Sequence, residues 1–271
     1  MKTNLFSLSG KTAIVTGALG LLGGQHCRAL AEAGANVVAA DLVKGACEEF
    51  GFELRRESGT DSNGMACDIT NPESLQALKA AVLEKYGQID VLVNNAGVDD
   101  KFDESCDDIF RLEAYPLSHW RRMLEVNLTG TFLCCQVIGP EMVKRARGSI
   151  INIASTYGIV APDQSIYRRP DGSQTFFKSP AYPATKAAVI SLTRYLASCW
   201  GRSSVRVNSI CPGGVWNSQE QYFIENYSER TPLGRMAKSD DYKGAIVFLA
   251  CDASSYMTGA NLVVDGGWTI W

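Results

Sequence analysis

The chain has 271 residues, 26 basic and 29 acidic side chains, a formal net charge of −3 and 46% hydrophobic residues. That length and composition suffice for one sizeable buried core, and the mildly acidic balance leaves no electrostatic footprint for nucleic acid. Nine scattered cysteines fit neither a disulfide framework nor a Cys-x-x-Cys metal spacing and suit a reducing cytoplasmic setting, while two histidines, His26 and His119, exclude a histidine-rich centre, so no metal is expected.

The stretch from Met1 to Ser7 lacks the apolar segment of a secretory signal, and no run reaches the roughly 18 apolar residues of a membrane span, so a soluble protein without membrane contact is expected. No repeat, low-complexity tract or linker divides the chain, and 1–271 reads as a single domain. The first element is Thr12-Ala13-Ile14-Val15-Thr16, an apolar run of strand length suited to burial on both faces. It enters Gly17-Ala18-Leu19-Gly20-Leu21-Leu22-Gly23, a glycine-rich strand-to-helix turn. Glycines allow the backbone to approach a pyrophosphate, and a helix N-terminus offers unpaired N–H groups and a positive dipole end. After Gly34, Asn36-Val37-Val38-Ala39-Ala40-Asp41 reads as a second buried strand ending in an acid. A carboxylate there accepts hydrogen bonds from a ribose and repels a 2′-phosphate, which favours NAD over NADP, although Lys44 stands close by.

Strand and helix continue to alternate. Met65-Ala66-Cys67 is a short strand ending at Asp68, and Asn71-Pro72-Glu73 combines an N-cap, a first-position proline and a first-turn acid on a helix closing near Gly87. Val91-Leu92-Val93 is a strand running into Asn94-Asn95-Ala96-Gly97, followed by a helix centred on Trp120 to Val137 that carries Asn127. Gly148 to Ile153 is the next strand, with Ser155 at its C-terminal end, where open parallel sheets form their sites. In Tyr182-Pro183-Ala184-Thr185-Lys186, the phenol and the ammonium fall one helical turn apart. A nearby cation favours a phenolate and brings the phenol toward the working range, so Tyr182 is expected to exchange a proton with a substrate hydroxyl. Val205 to Ile210 is a strand before Pro212-Gly213-Gly214, and a helix near Tyr242 to Leu249 and a strand at Leu262 to Val264 complete the pattern. The fold class is therefore α/β, a doubly wound parallel sheet of Rossmann type.

Asn94-Asn95-Ala96-Gly97, Asn127, Ser155, Tyr182 with Lys186, Pro212-Gly213 and Val264-Asp265-Gly266-Gly267, taken together, resemble the short-chain dehydrogenases/reductases of the compact single-domain branch over nearly the whole chain. The resemblance implies that Tyr182 is the acid/base and that Ser155 hydrogen-bonds the reacting oxygen. It implies that Lys186 binds the nicotinamide ribose and tunes Tyr182, and that Asn127 holds a water in a proton relay. Gly17, Gly20, Leu21, Leu22, Gly23 and Asp41 would cradle the cofactor, with Asp68 at the adenine. Asn95, Ala96 and Gly97 would form a wall, and Pro212, Gly213 and Val215 would meet the nicotinamide. Members of the family often form tetramers or dimers through the helices equivalent to those of Asn127 and Tyr182, and Phe132, Leu133, Val189 and Leu192 would suit such a contact or an ordinary core.

Two features depart from that branch. The glycines are spaced Gly-x-x-Gly-x-x-Gly, the form of the longer epimerase and dehydratase branch, and the stretch between Ser155 and Tyr182 carries an insertion at about 162–179. Arg168 and Arg169 in that insertion are candidates to grip a substrate carboxylate or phosphate, with Tyr167, Phe176 or Phe177 excluding water and Asp171-Gly172 turning the segment back as a flap. The leading expectation is an NAD-dependent oxidoreductase acting on a secondary alcohol or ketone of a sugar, sugar derivative or polyol, an anionic substrate being the form that those arginines would favour. An epimerase or dehydratase is the alternative, against which stands the short stretch after Asp265-Gly266-Gly267. A non-catalytic NAD-binding protein is the third.

Overall fold

The chain winds a sheet outward from β1 (Thr12–Thr16) in both directions. β2 (Asn36–Asp41) and β3 (Asn63–Ala66) lie to one side, and β4 (Val91–Asn94), β5 (Gly148–Ile153), β6 (Val205–Pro212) and β7 (Asn261–Val264) lie to the other. All seven strands are parallel, in the order β3-β2-β1-β4-β5-β6-β7, and the winding reverses between β1 and β4. This computed structural model describes residues 4–100 and 111–271; the first three residues of the N-terminal stretch read above lie outside them.

Both faces of the sheet are covered, which is why β1 and β4 are buried at every residue. One face packs against α1 (Gly23–Glu32), α2 (Lys44–Ser58) and α8 (Lys243–Ala250), with α8 lying beside α1. The opposite face packs against α3 (Pro72–Tyr86), α5 (Thr131–Lys144) and α6 (Ala181–Trp200). α4 (Leu117–Leu124) leads into α5, and α7 (Gln221–Glu229) follows β6.

The local signals explain most of the boundaries. The Asn71 side chain accepts from the N–H groups of Glu73 and Ser74, Pro72 opens α3, and Gly87 at φ 71° ends it. β3 begins earlier than its apolar residues suggest, because pairing with β2 recruits Asn63 and Gly64, and a Cβ at Gly64 would lie 1.6 Å from the Cys47 carbonyl oxygen. The helix expected around Asn127 is longer and is broken. α4 passes through a π-helical turn, Glu125–Gly130, before α5, a distortion that an apolar pattern does not forecast. Val189 lies in the core, Leu133 and Leu192 pack partly against it, and Phe132 remains 42% exposed.

A buried polar chain fixes α6 to the sheet. Asn94 Nδ2 donates to Asn152 Oδ1 at 2.8 Å, and Asn152 Nδ2 donates to Thr193 Oγ1 at 2.9 Å. Such groups are costly to bury unless satisfied, so they specify one seating of the helix. His26 on α1 is buried as well, and burial lowers its pKa from 6.5 to about 4. Below its ordinary pKa the unfolded chain binds a proton there that the fold resists until about pH 4, so this contribution to stability is lost as pH falls from about 6.5 toward 4. The size is about 3 kcal/mol. His26→Gln should therefore flatten the fall of melting temperature between pH 6.5 and 4, measured by thermal denaturation across that range.

Candidate active site

A cavity of about 650 Å³ opens at the carboxyl ends of the central strands, where the winding reverses. Gly17, Gly20, Leu21, Leu22, Asp41, Asp68, Asn95, Ala96, Gly97, Ser155, Tyr182, Lys186, Pro212, Gly213 and Val215 all line it. Gly23 stands behind this wall at the start of α1, and Asn127 is buried behind it.

The glycine turn is shaped by close approach. Gly17 has φ +63°, and a Cβ there would lie 2.6 Å from Ala96 Cα; a Cβ on Gly23 would lie 2.0 Å from the Gly17 carbonyl oxygen. A Cβ on Gly20 would meet that oxygen only at 3.3 Å. No side chain caps the start of α1, so the turn fits a pyrophosphate both by its space and by its backbone donors. Asn95 braces the turn, its Nδ2 donating to the carbonyls of Thr16 at 3.0 Å and Gly17 at 2.9 Å.

At the end of β2, the Asp41 carboxylate is held by two backbone N–H groups, those of Leu19 at 2.9 Å and Leu42 at 2.7 Å. Lys44, which stands close in sequence, directs its ammonium to Glu48 at 3.8 Å and is well exposed. Asp68 reaches the cavity while its Oδ1 accepts from the N–H and hydroxyl of Thr70.

Ser155, Tyr182 and Lys186 meet at the other end. The Ser155 hydroxyl oxygen accepts from the Tyr157 N–H at 3.1 Å, and Lys186 Nζ donates to the Ile153 carbonyl at 2.8 Å. Burial depresses Lys186 to about 8. Burial also raises the Tyr182 phenol above its ordinary value, the negative Asp99 adds to this, and the Ser155 hydroxyl within its reach opposes it. Burial and Asp99 thus act against the pull toward the neutral range expected from Lys186. The Lys186 Nζ lies 5.6 Å from the Tyr182 ring centroid.

Asn127 works behind the cavity wall. Its Oδ1 accepts from the Val98 N–H at 2.7 Å, and its Nδ2 donates to the Val98 carbonyl at 2.8 Å and to Thr185 Oγ1 at 3.4 Å. The side-chain amide joins the strand-end wall to α6.

Residues 11–168 match the family described as short chain dehydrogenase, and residues 171–269 match one described as Enoyl-(Acyl carrier protein) reductase. The chain belongs to the short-chain dehydrogenases/reductases. It is 36% identical over 273 residues to D-threitol dehydrogenase of Mycolicibacterium smegmatis (strain ATCC 700084 / mc(2)155), covering 98% of this chain and 95% of the relative. It is 35% identical over 269 residues to 2-dehydro-3-deoxy-D-gluconate 5-dehydrogenase of Bacillus subtilis (strain 168), covering 97% and 96%. Among solved structures, a gluconate 5-dehydrogenase from Burkholderia cenocepacia J2315 in complex with NADP and tartrate superposes with a TM-score of 0.87 at 30% identity, over 99% of this chain and 98% of that one.

Within 162–179 the chain turns at Asp171-Gly172, with Gly172 at φ +86° and Asp171 Oδ1 accepting from the N–H and hydroxyl of Ser173. Its arginines do not reach the cavity. Arg168 is exposed, and Arg169 Nη2 lies 3.5 Å from Glu220 Oε1, because Ile166, Tyr167 and Phe176 pack against Tyr227, Met236 and Trp268 and turn the arginines outward. Tyr167 lines the cavity, Phe176 is buried beneath it, and Phe177 stacks under the Arg111 guanidinium. Lys178, Asp99, Tyr157, Gln219 and Tyr227 also line the cavity and were not singled out by the sequence; only the position of Lys178, four residues before Tyr182, could have signalled it. Among the described residues no cluster of three His, Cys, Asp or Glu is placed to hold a metal, and no helix is long and apolar enough to cross a membrane. Gly23→Ala should lower the melting temperature and weaken nicotinamide-cofactor binding strongly, with overpacking costing about 1–3 kcal/mol, whereas Gly20→Ala should do so much less; thermal denaturation and fluorescence titrations with NADH and NADPH check both.

Proposed function

We propose that the protein is an NAD-dependent dehydrogenase/reductase that interconverts a secondary alcohol and a ketone on a sugar alcohol, sugar or polyol. The observation that carries this reading is the convergence of Ser155, Tyr182 and Lys186 on one end of a cavity whose other end holds the glycine turn and Asp41. Relatives of 36% and 35% identity are named for a polyol and for a sugar acid, which supports a polyhydroxylated substrate without choosing its charge.

Nicotinamide, when bound, supplies the hydride acceptor or donor. The residues of this chain do the rest. The turn at Gly17 to Gly23 takes the pyrophosphate, and the Asp41 carboxylate takes the adenosine ribose hydroxyls. Ser155 hydrogen-bonds the reacting oxygen, and Tyr182 gives it a proton in reduction or removes one in oxidation. Lys186 binds the second ribose and adds positive charge near the phenol, and Asn127 holds the wall and helix that align these groups. Free buried cysteines favour a reducing cytoplasmic setting, and the exposed Phe132 and Tyr195 on α5 and α6 favour self-association through those helices.

Tyr182→Phe should lower turnover by about 100- to 10,000-fold with little change in NAD affinity, because it removes the proton-transfer group and keeps the ring. Steady-state kinetics beside a cofactor titration test this, and near-normal turnover would refute the assignment. Asp41→Ala should reduce the preference for NAD over NADP by about tenfold or more, since it removes the like charge facing a 2′-phosphate. Paired titrations with both cofactors read the result; a wild-type preference for NADP would count against this role of Asp41.

A further inference from the structure

Lys178 is the basic residue of the 162–179 segment that lines the cavity. Its main chain is fixed on both sides by one side chain, Gln164, whose Oε1 accepts from the Lys178 N–H at 2.9 Å and whose Nε2 donates to the Lys178 carbonyl at 3.0 Å. The Lys178 side chain is only 9% exposed, and its ammonium pairs with Asp99. That ammonium stands 4.3 Å from the Tyr182 ring centroid, nearer than Lys186, and 5.9 Å from that of Tyr157. Asp99 directly follows Val98, whose backbone Asn127 holds, so one carboxamide fixes the Lys178 main chain and another fixes the residue beside Asp99.

A lysine ammonium only donates hydrogen bonds and a carboxylate only accepts them, whereas a hydroxyl does both. A hydroxyl can therefore engage the two groups together, while a carboxylate or phosphate would meet the like charge of Asp99. We propose that Lys178 and Asp99 form a hydroxyl-reading pair that selects an uncharged polyol, the hydroxyl next to the reacting carbinol accepting from Lys178 Nζ and donating to the Asp99 carboxylate. This rests on the dehydrogenase reading above and names the substrate class within it. It replaces an anionic substrate held by Arg168 and Arg169, which face away from the cavity.

The test compares kcat/KM for alditols, including D-threitol and galactitol, with that for butan-2-ol and for D-gluconate. Lys178→Met should lower the ratio of alditol to butan-2-ol by about 10- to 100-fold, the worth of a hydrogen bond to a charged group. Asp99→Asn should lower the same ratio and raise gluconate relative to the alditols. Melting temperatures monitor the fold, and if Lys178→Met is unfolded the Asp99→Asn comparison decides alone. Equal losses on alditol and butan-2-ol would overturn the pair and leave Lys178 acting through Tyr182. A wild-type preference for gluconate over every alditol would overturn the pair but keep a sugar-directed dehydrogenase, and absence of turnover on all polyols and sugar acids would overturn both readings.

Discussion

The carboxamide of Asn127 holds the two halves of the site in register. It pairs with both backbone groups of Val98 and reaches Thr185 on α6, so one buried side chain joins the end of β4 to the helix that carries Tyr182 and Lys186. Space above Gly97 is correspondingly tight, with Asn127 Oδ1 at 3.2 Å and Lys186 Nζ at 3.7 Å from where a Cβ would stand. The π turn around Asn127 is the backbone form in which this reach is made.

The other carboxamides extend the same logic. Asn95 ties the β4 end to the glycine turn, and Asn94 with Asn152 ties β4 through β5 to Thr193 on α6. Asn94, Asn127 and Asn152 are buried and Asn95 half-buried, and their hydrogen bonds set the glycine turn and α6 in one register. Charge is then added to a rigid frame. Burial raises the Tyr182 phenol and depresses the Lys186 ammonium, each shift favouring the neutral form.

The segment between β5 and α6 is a small structure of its own. Tyr167 packs on Phe176 and Phe223 with centroids 5.0 and 5.2 Å apart, and Tyr227 stacks on Trp268 at 4.2 Å. This second apolar cluster gives one end of the cavity walls from α7 and Met236 as well as from the sheet, with Trp268 packed behind them.

The parallel sheet, the glycine turn, Asp41 at the end of β2 and the constellation of Ser155, Tyr182 and Lys186 were all legible in the order of the residues. They follow from short-range rules: apolar runs of strand length, glycines at a strand-to-helix turn, and two side chains one helical turn apart. That Arg168 and Arg169 face outward while Lys178 faces inward was not legible, because it depends on Tyr167 and Phe176 meeting Tyr227, Met236 and Trp268 across long stretches of chain. The upward pull of burial on the Tyr182 phenol was hidden for the same reason, since that desolvation comes from surroundings drawn from several elements, whereas the spacing makes only the neighbouring lysine conspicuous.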